Sequence, residues 1–155
     1  SSAASDVYKR QVGSYEEKRE GYFHDLQQLV KDLDLQSNIV FTGNQQKIKE
    51  ILSISNVCIS SSNKPETFGR ANVEALFMGK PLIATQLGAT ADYVVEGKNG
   101  FFFETGDSIE LAEKILQTIS WEFNESYFRK FIESKFTLNK MLQKNMEVYR
   151  GLYSS

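Results

Sequence analysis

The sequence predicts an open, doubly wound α/β fold. It reads as a Rossmann-like parallel sheet with helices on both faces, ending in an all-helical tail. Two observations carry this expectation. The strand-like segments are continuous apolar runs rather than alternating ones, as in strands covered on both faces, and such strands are typical of parallel sheets. Helical stripes fall between successive runs, where parallel pairing requires crossover connections.

The elements follow in order. Ser1–Gln11 (SSAASDVYKRQ) show no apolar periodicity and read as a non-native scar or a disordered tail, outside the fold. Residues 12–155 make up the domain. Between Tyr15 and Leu35, apolar Tyr15, Tyr22, Phe23, Leu26, Leu29, Val30 and Leu33 form a helical stripe. Ile39-Val40-Phe41 is a short strand, ended by Thr42-Gly43-Asn44. Ile48, Ile51 and Leu52 mark a short helix, and Val57-Cys58-Ile59 a second strand. The next helix starts near Arg70 and stops at Gly79, with Pro81 as punctuation. Leu82-Ile83-Ala84 is the third strand, Ala89 to Val95 a short helix, and Gly100-Phe101-Phe102-Phe103 the fourth strand.

Beyond Thr105 the pattern is helical throughout. Asp107-Ser108-Ile109-Glu110 reads as an aspartate version of a capping box, ahead of an apolar stripe at Ala112, Ile115, Leu116 and Ile119. A second tail helix carries Tyr127, Phe128, Phe131 and Ile132, which read as core. The last starts at Thr137 and sets Met141, Leu142, Val148 and Leu152 on one face.

Composition narrows the chemistry. Lys plus Arg is 18 against 20 Asp plus Glu, a formal net charge of −2 that argues against a nucleic-acid partner. No apolar run approaches the ~20 residues of a membrane span, so any membrane association would come through regions outside this sequence. One cysteine and one histidine exclude a disulfide or a structural zinc site within the chain. Cys58 reads as a small buried hydrophobe and His24 as a partly exposed helix residue. Glu17 to Glu20 reads as a solvated helix face. Asn124-Glu125-Ser126 fits a glycosylation pattern, but no signal peptide is visible and the expected location is the cytoplasm. No metal and no cofactor is expected. Chemistry, if any, rests on carboxylates, cations and backbone amides.

Those groups concentrate in one segment, Ser60-Ser61-Ser62-Asn63-Lys64-Pro65-Glu66-Thr67-Phe68-Gly69-Arg70-Ala71-Asn72-Val73-Glu74. It reads as the end of a strand, a polar loop and a helix N-terminus. Ligands of open α/β sheets bind at the carboxyl ends of strands, and free N–H groups at a helix start favour phosphate. Gly69 removes a side chain there, so a ligand could approach the backbone. Eight residues of helix cover about 12 Å, whereas paired glycosidase carboxylates sit roughly 5–9.5 Å apart. Glu66 and Glu74 therefore suit two contacts along an extended ligand better than a pair flanking one bond. A plain alternative stays open: Arg70 is four residues from each, so all three could form a surface ion-pair ladder.

The stretch from Pro65 to Ala84 resembles the signature of family 4 glycosyltransferases, also called group 1. Its mark is Glu-x7-Glu within a PExFG…E…GxPxIA frame, and Glu66 and Glu74 fill both glutamate positions. Asn38-Ile39-Val40-Phe41-Thr42-Gly43 resembles the family's strand and turn. Gly88 followed by Asp92 resembles its G-G-x-x-E segment, and Gly97-Lys98-Asn99-Gly100-Phe101 its d-G-x-N-G-f. Phe131 to Thr137 resembles the start of its last helix. The resemblance implies the C-terminal, donor-binding half of a GT-B fold. It implies transfer of a sugar from a nucleotide-sugar donor to a carbohydrate or other acceptor, with retention of configuration.

The implied roles are these: Glu66 by the donor sugar, the amides of Phe68, Gly69 and Arg70 on sugar hydroxyls and diphosphate, and Glu74 on the ribose. Thr42 and Gly43 would lie near the base. Two departures stand out. The family's Gly-Gly pair is Gly88-Ala89, and its glutamate is Asp92. The family's upstream strand, with its basic diphosphate clamp, and its N-terminal acceptor domain have no counterpart, so the chain reads as a fragment inactive alone. In the order 3-2-1-4-5-6 the missing strand would sit in mid-sheet. Rival readings are a non-catalytic nucleotide- or sugar-phosphate-binding module and a GT-B-type sugar-nucleotide epimerase. A phospho-accepting receiver is rejected, because no strand ends in aspartate.

Overall fold

A computed structural model describes residues 9–12 and 20–153. The chain divides into two compact units, Ser1–Ile48 and Lys49–Ser155. Tyr15, Glu17 and residues 1–8 of the N-terminal segment lie outside the described residues.

The first unit contains β1 (Lys9–Val12), α1 (Glu20–Asp32) and β2 (Ile39–Gly43). β1 runs parallel to β2, with Lys9 opposite Ile39 and Gln11 opposite Phe41. The Lys9 N–H donates to the Asn38 carbonyl at 2.8 Å. Lys9-Arg10-Gln11, read from sequence as part of a tail, are therefore within the fold. Their side chains are exposed, and the strand is held through its backbone, which leaves no apolar alternation to read. On α1, Phe23 meets Phe41 edge-to-face at 5.2 Å, and Leu26 and Val30 are half-buried while Leu29 and Leu33 are exposed.

The second unit is the larger. After α2 (Ile48–Ser53), which begins at the boundary, it alternates β3 (Cys58–Ser60), α3 (Arg70–Phe77), β4 (Leu82–Thr85), α4 (Thr90–Tyr93) and β5 (Gly100–Phe103). All pairings are parallel, in the order β3-β4-β5, with Ile59 opposite Ile83 and Ile83 opposite Phe101. Every residue of β4 is buried, as a central parallel strand requires. This is the Rossmann-like parallel α/β pattern that the sequence predicts.

The core of this unit joins Leu76, Leu82, Ala84, Tyr93, Val94, Phe128 and Ile132. Phe128 is fully buried, with Tyr127 and Phe131 half-buried and packed against the cluster, so these aromatics serve the core. Gly79 (φ 75°) follows α3, where the sequence places its stop.

The helical tail comprises α5 (Ser108–Ile119), α6 (Glu125–Lys135) and α7 (Leu138–Tyr153). Asp107 caps α5, its side chain accepting from the N–H groups of Ile109 and Glu110. The second arm of the expected box goes elsewhere: Glu110 accepts from the Glu104 N–H at 2.7 Å. Glu96 likewise accepts from the Phe102 N–H at 2.8 Å. Two carboxylates thus occupy backbone donors in and just beyond β5, one way of blunting an edge strand. The stripe expected on α5 is corrected. Of its four residues Ile115 alone is half-buried; Leu116 is 65% exposed, and Ala112 and Ile119 are exposed too. Thr118 is buried instead, its hydroxyl satisfied by the Lys114 carbonyl, beside half-buried Leu111 and Ile115.

Asn124 of the glycosylation-like triplet is the N-cap of α6, accepting from the Tyr127 N–H. Thr137 caps α7, accepting from the Lys140 N–H at 3.3 Å, so the helix proper starts one residue later than expected. Met141, Leu142, Val148 and Leu152 share a face of α7, but that face is exposed rather than packed; Tyr149 and Leu152 are 59% and 68% accessible. Among the described residues no helix is long and apolar enough to cross a membrane.

Two outcomes are expected. Asn99 is fully buried, accepting from the Val95 N–H at 2.7 Å and donating to the Tyr93 carbonyl at 2.9 Å. Asn99→Ala leaves both groups unpaired and should cost about 2–6 kcal/mol in urea unfolding, at roughly 1–3 kcal/mol per group. Desolvation pushes the Cys58 thiol up to about 11, with the Lys80 charge pulling the other way. Alkylation of Cys58 at pH 8 should therefore be slowed about a hundredfold relative to a free thiol, and should accelerate towards pH 11.

Candidate functional site

β3 ends at Ser60, α3 begins at Arg70, and the intervening loop carries the residues singled out from the sequence. Gly69 is the α3 N-cap at φ 69° and ψ 56°, in the left-handed region. Its carbonyl accepts from the Asn72 and Val73 N–H groups at 2.9 and 3.2 Å. The N–H groups of Gly69, Arg70 and Ala71 make no hydrogen bond among the described residues. They form the donor cluster that a helix start offers to an anion.

The loop is fixed from its far side by a backbone approach. The Ala89 N–H donates to the Glu66 carbonyl at 3.3 Å, and Gly88 (φ 60°) lies so close that a Cβ would overlap that carbonyl. This gives the Gly88-Ala89 departure a physical account. The first position cannot hold a side chain, whereas Ala89 has an ordinary helical backbone (φ −73°) that any residue adopts. The Glu66 backbone is thereby held while its carboxylate stays exposed, with Oε2 3.0 Å from where a Gly69 Cβ would stand.

Beneath the cap lies a buried polar cluster. The Asn72 amide donates to the Tyr93 hydroxyl at 3.1 Å and to Ser60 Oγ at 3.2 Å. Desolvation raises the Tyr93 phenol above its usual range; the Asn72 hydrogen bond opposes this, and the charges of Glu66 and Asp92 add to it. Phe136 stands edge-on to both Phe68 and Tyr93, at 5.4 and 6.2 Å between ring centres.

Glu66, Phe68, Gly69, Arg70 and Glu74 thus share one loop and the first turns of one helix. Arg70 and Glu74 form a long ion pair at 3.8 Å with side chains 86% and 50% exposed, while Glu66 has no ion pair among the described residues. Only half of the alternative charge ladder exists. Thr42 and Gly43 end β2 in the first unit, where the Thr42 hydroxyl donates to the Gln11 carbonyl at 3.3 Å. His24 is an exposed residue of α1, and Asp92 an exposed residue of α4 whose carbonyl accepts from Lys135 Nζ at 2.8 Å. No group of three or more His, Cys, Asp or Glu among the described residues could hold a metal ion. Sequence reasoning missed Asn72, Tyr93 and Ser60. A signal existed for Asn72: it lies three and four residues before Ala75 and Leu76 on the buried face of α3, where a polar residue needs partners.

Residues 12–135 match the family described as glycosyl transferases group 1. The N-acetyl-alpha-D-glucosaminyl L-malate synthase of Bacillus anthracis is 32% identical over 100 residues, covering 64% of this chain and 26% of that protein. Among solved structures, a glycosyltransferase from Rickettsia africae ESF-5 is similar with a TM-score of 0.86 at 30% identity, over 95% of this chain and 40% of the other. Anabaena HepE in complex with UDP is similar with a TM-score of 0.84 at 27% identity, over 94% and 41%. HepE has also been solved with UDP-glucose. The chain spans about a quarter to two-fifths of the length of these relatives.

The backbone approach at Gly88 generates a paired expectation. Gly88→Ala adds both an overlap and a left-handed strain, and should lower stability by about 1–3 kcal/mol. Ala89→Gly should cost at most about 1 kcal/mol. Thermal unfolding of the two variants compares them directly, and equal losses would contradict the steric account.

Proposed function

The chain belongs to the glycosyl transferases group 1, and we propose that it is the donor-binding C-terminal half of a GT-B enzyme of family 4. The enzyme would transfer a sugar from a nucleotide-sugar donor, with retention at the anomeric carbon. A UDP-sugar is the donor class that the similarity to HepE, solved with UDP and UDP-glucose, supports first. The observation that carries the reading is the α3 start: three N–H groups without a hydrogen bond among the described residues, beside an exposed Glu66 that has no ion pair among them, with Glu74 one turn into the helix.

In this reading the amides of Phe68, Gly69 and Arg70 receive the diphosphate and sugar hydroxyls. As the bond between the anomeric carbon and the diphosphate breaks, negative charge grows on the leaving group and positive charge on the sugar ring. Fixed N–H dipoles stabilise the first without reorganising. The Glu66 carboxylate, held through its backbone, stabilises the second. Glu74 accepts hydrogen bonds from the ribose hydroxyls, charge-assisted contacts worth about 1.5–3 kcal/mol each. Thr42 and Gly43 are proposed to approach the base, and the acceptor would be held by the N-terminal domain.

The two glutamates separate by kinetics in the full-length enzyme carrying this chain, with UDP-glucose as donor. Glu66→Gln should mainly lower kcat, by about 10²–10³-fold, the scale of losing one preorganised electrostatic group. Glu74→Gln should raise the donor KM more than it lowers kcat, the mark of lost uniform binding. Wild-type kinetics in both variants, with only a small loss of melting temperature, would leave a surface ion pair as the whole role of this segment.

A further inference from the structure

The buried cluster under the α3 cap has no part in the reading above, yet everything that reading needs rests on it. Asn72 is only 8% exposed and Tyr93 is fully buried, so neither side chain is placed to touch a ligand. Their geometry nonetheless converges on one point. A Cβ built on Gly69 would overlap the Tyr93 hydroxyl and stand 3.0 Å from both Asn72 Nδ2 and Glu66 Oε2. The hydroxyl therefore packs against the cap, and the Glu66 carboxylate closes on the same point.

The Asn72 amide spends its two donor hydrogens on two different elements, the end of β3 through Ser60 and the end of α4 through Tyr93. It sits in the first turn of α3, so one side chain ties the strand that enters the loop to the helix that leaves it. Tyr93 is itself held at its carbonyl by buried Asn99. A fully satisfied polar network of this kind fixes one geometry where apolar packing alone would tolerate several.

We infer that Tyr93 and Asn72 are positioning residues: their hydrogen bond sets the height and orientation of the Gly69 cap, and through it the row of free amides and the Glu66 carboxylate. The role in donor binding rests on the function proposed above; the role in holding the loop does not.

The test uses the full-length protein and two readouts. Tyr93→Phe removes one oxygen and keeps the ring packed on Phe136. Hydrogen exchange of the segment from Glu66 to Glu74 should quicken about tenfold while α6 keeps its protection, as expected when one buried hydrogen bond is lost. UDP affinity should fall about tenfold and uridine affinity less than about twofold, because uridine lacks the diphosphate that the amides hold. Asn72→Ser, which withdraws the amide and keeps the Tyr93 ring, should give the same pattern. Gly69→Ala should be less damaging in the Tyr93→Phe background than alone, because the overlap with the hydroxyl is gone, while the strained φ and the 3.0 Å approaches to Asn72 and Glu66 are common to both backgrounds. Unchanged exchange in both variants would overturn the inference, as would equal weakening of UDP and uridine, which marks general loosening. If the wild-type protein binds no UDP while Tyr93→Phe still quickens the loop, the positioning role stands and the donor reading fails.

Discussion

Two places where one backbone comes too close to its neighbour for a side chain govern the rest of the candidate site. At Gly88 the neighbour is the Glu66 carbonyl, and at Gly69 it is the Tyr93 hydroxyl. Both glycines have positive φ, so steric room and backbone conformation demand the same residue. The consequence is an unusual division of labour within one loop. The chain around Glu66 is gripped through main-chain atoms, at its carbonyl from Ala89 and at the following cap from below. The carboxylate has no ion pair among the described residues, which leaves it open for the proposed ligand. A site built this way has a rigid frame and free functional groups, the combination that preorganised charge stabilisation requires.

The same geometry explains which short motifs were legible in the sequence, and for what reason. Gly97-Lys98-Asn99-Gly100 looks like a family marker, but its role here is internal: Asn99 closes the turn from α4 into β5 and fixes Tyr93. Its effect reaches the loop only through Tyr93 and Asn72. Glu66 and Glu74 are singled out through the family resemblance, and Gly69 through its place at a helix start, though the group that demands a glycine there is the distant Tyr93 hydroxyl. The supporting layer could not be read, because a hydrogen bond between residues 21 positions apart has no local signature. Asn72 alone left a trace, as a polar residue on an otherwise apolar helix face.

For the fold, periodicity was informative where burial was two-sided and uninformative elsewhere. β4 and the aromatic core around Phe128 follow from continuous apolar runs. β1 is held through backbone bonds under polar side chains, so Lys9-Arg10-Gln11 carry nothing to read. On α5 the hydrophobic count pointed at Leu116 and Ile119, but the helix buries Thr118, whose hydroxyl bonds back to the Lys114 carbonyl and so enters the interior satisfied. On α7 the stripe is where the pattern puts it, and its exposure shows that periodicity locates an apolar face without specifying what covers it.

The charges of α3 are only weakly committed to one another. Arg70 and Glu74 are paired, but at 3.8 Å and with most of the guanidinium in solvent. Such a pair contributes about 0–1 kcal/mol, less than the ~1.5–3 kcal/mol of a single charge-assisted hydrogen bond. A ligand offering two hydroxyls to Glu74 would therefore displace or share the arginine at a net gain. The freed guanidinium would remain at the same helix start as the unbonded amides, adding positive charge where a diphosphate would lie. An ion pair this weak is compatible with the donor contacts proposed for Arg70 and Glu74. In the proposed reading the pair is the resting arrangement, and the donor brings each of the two groups a stronger partner.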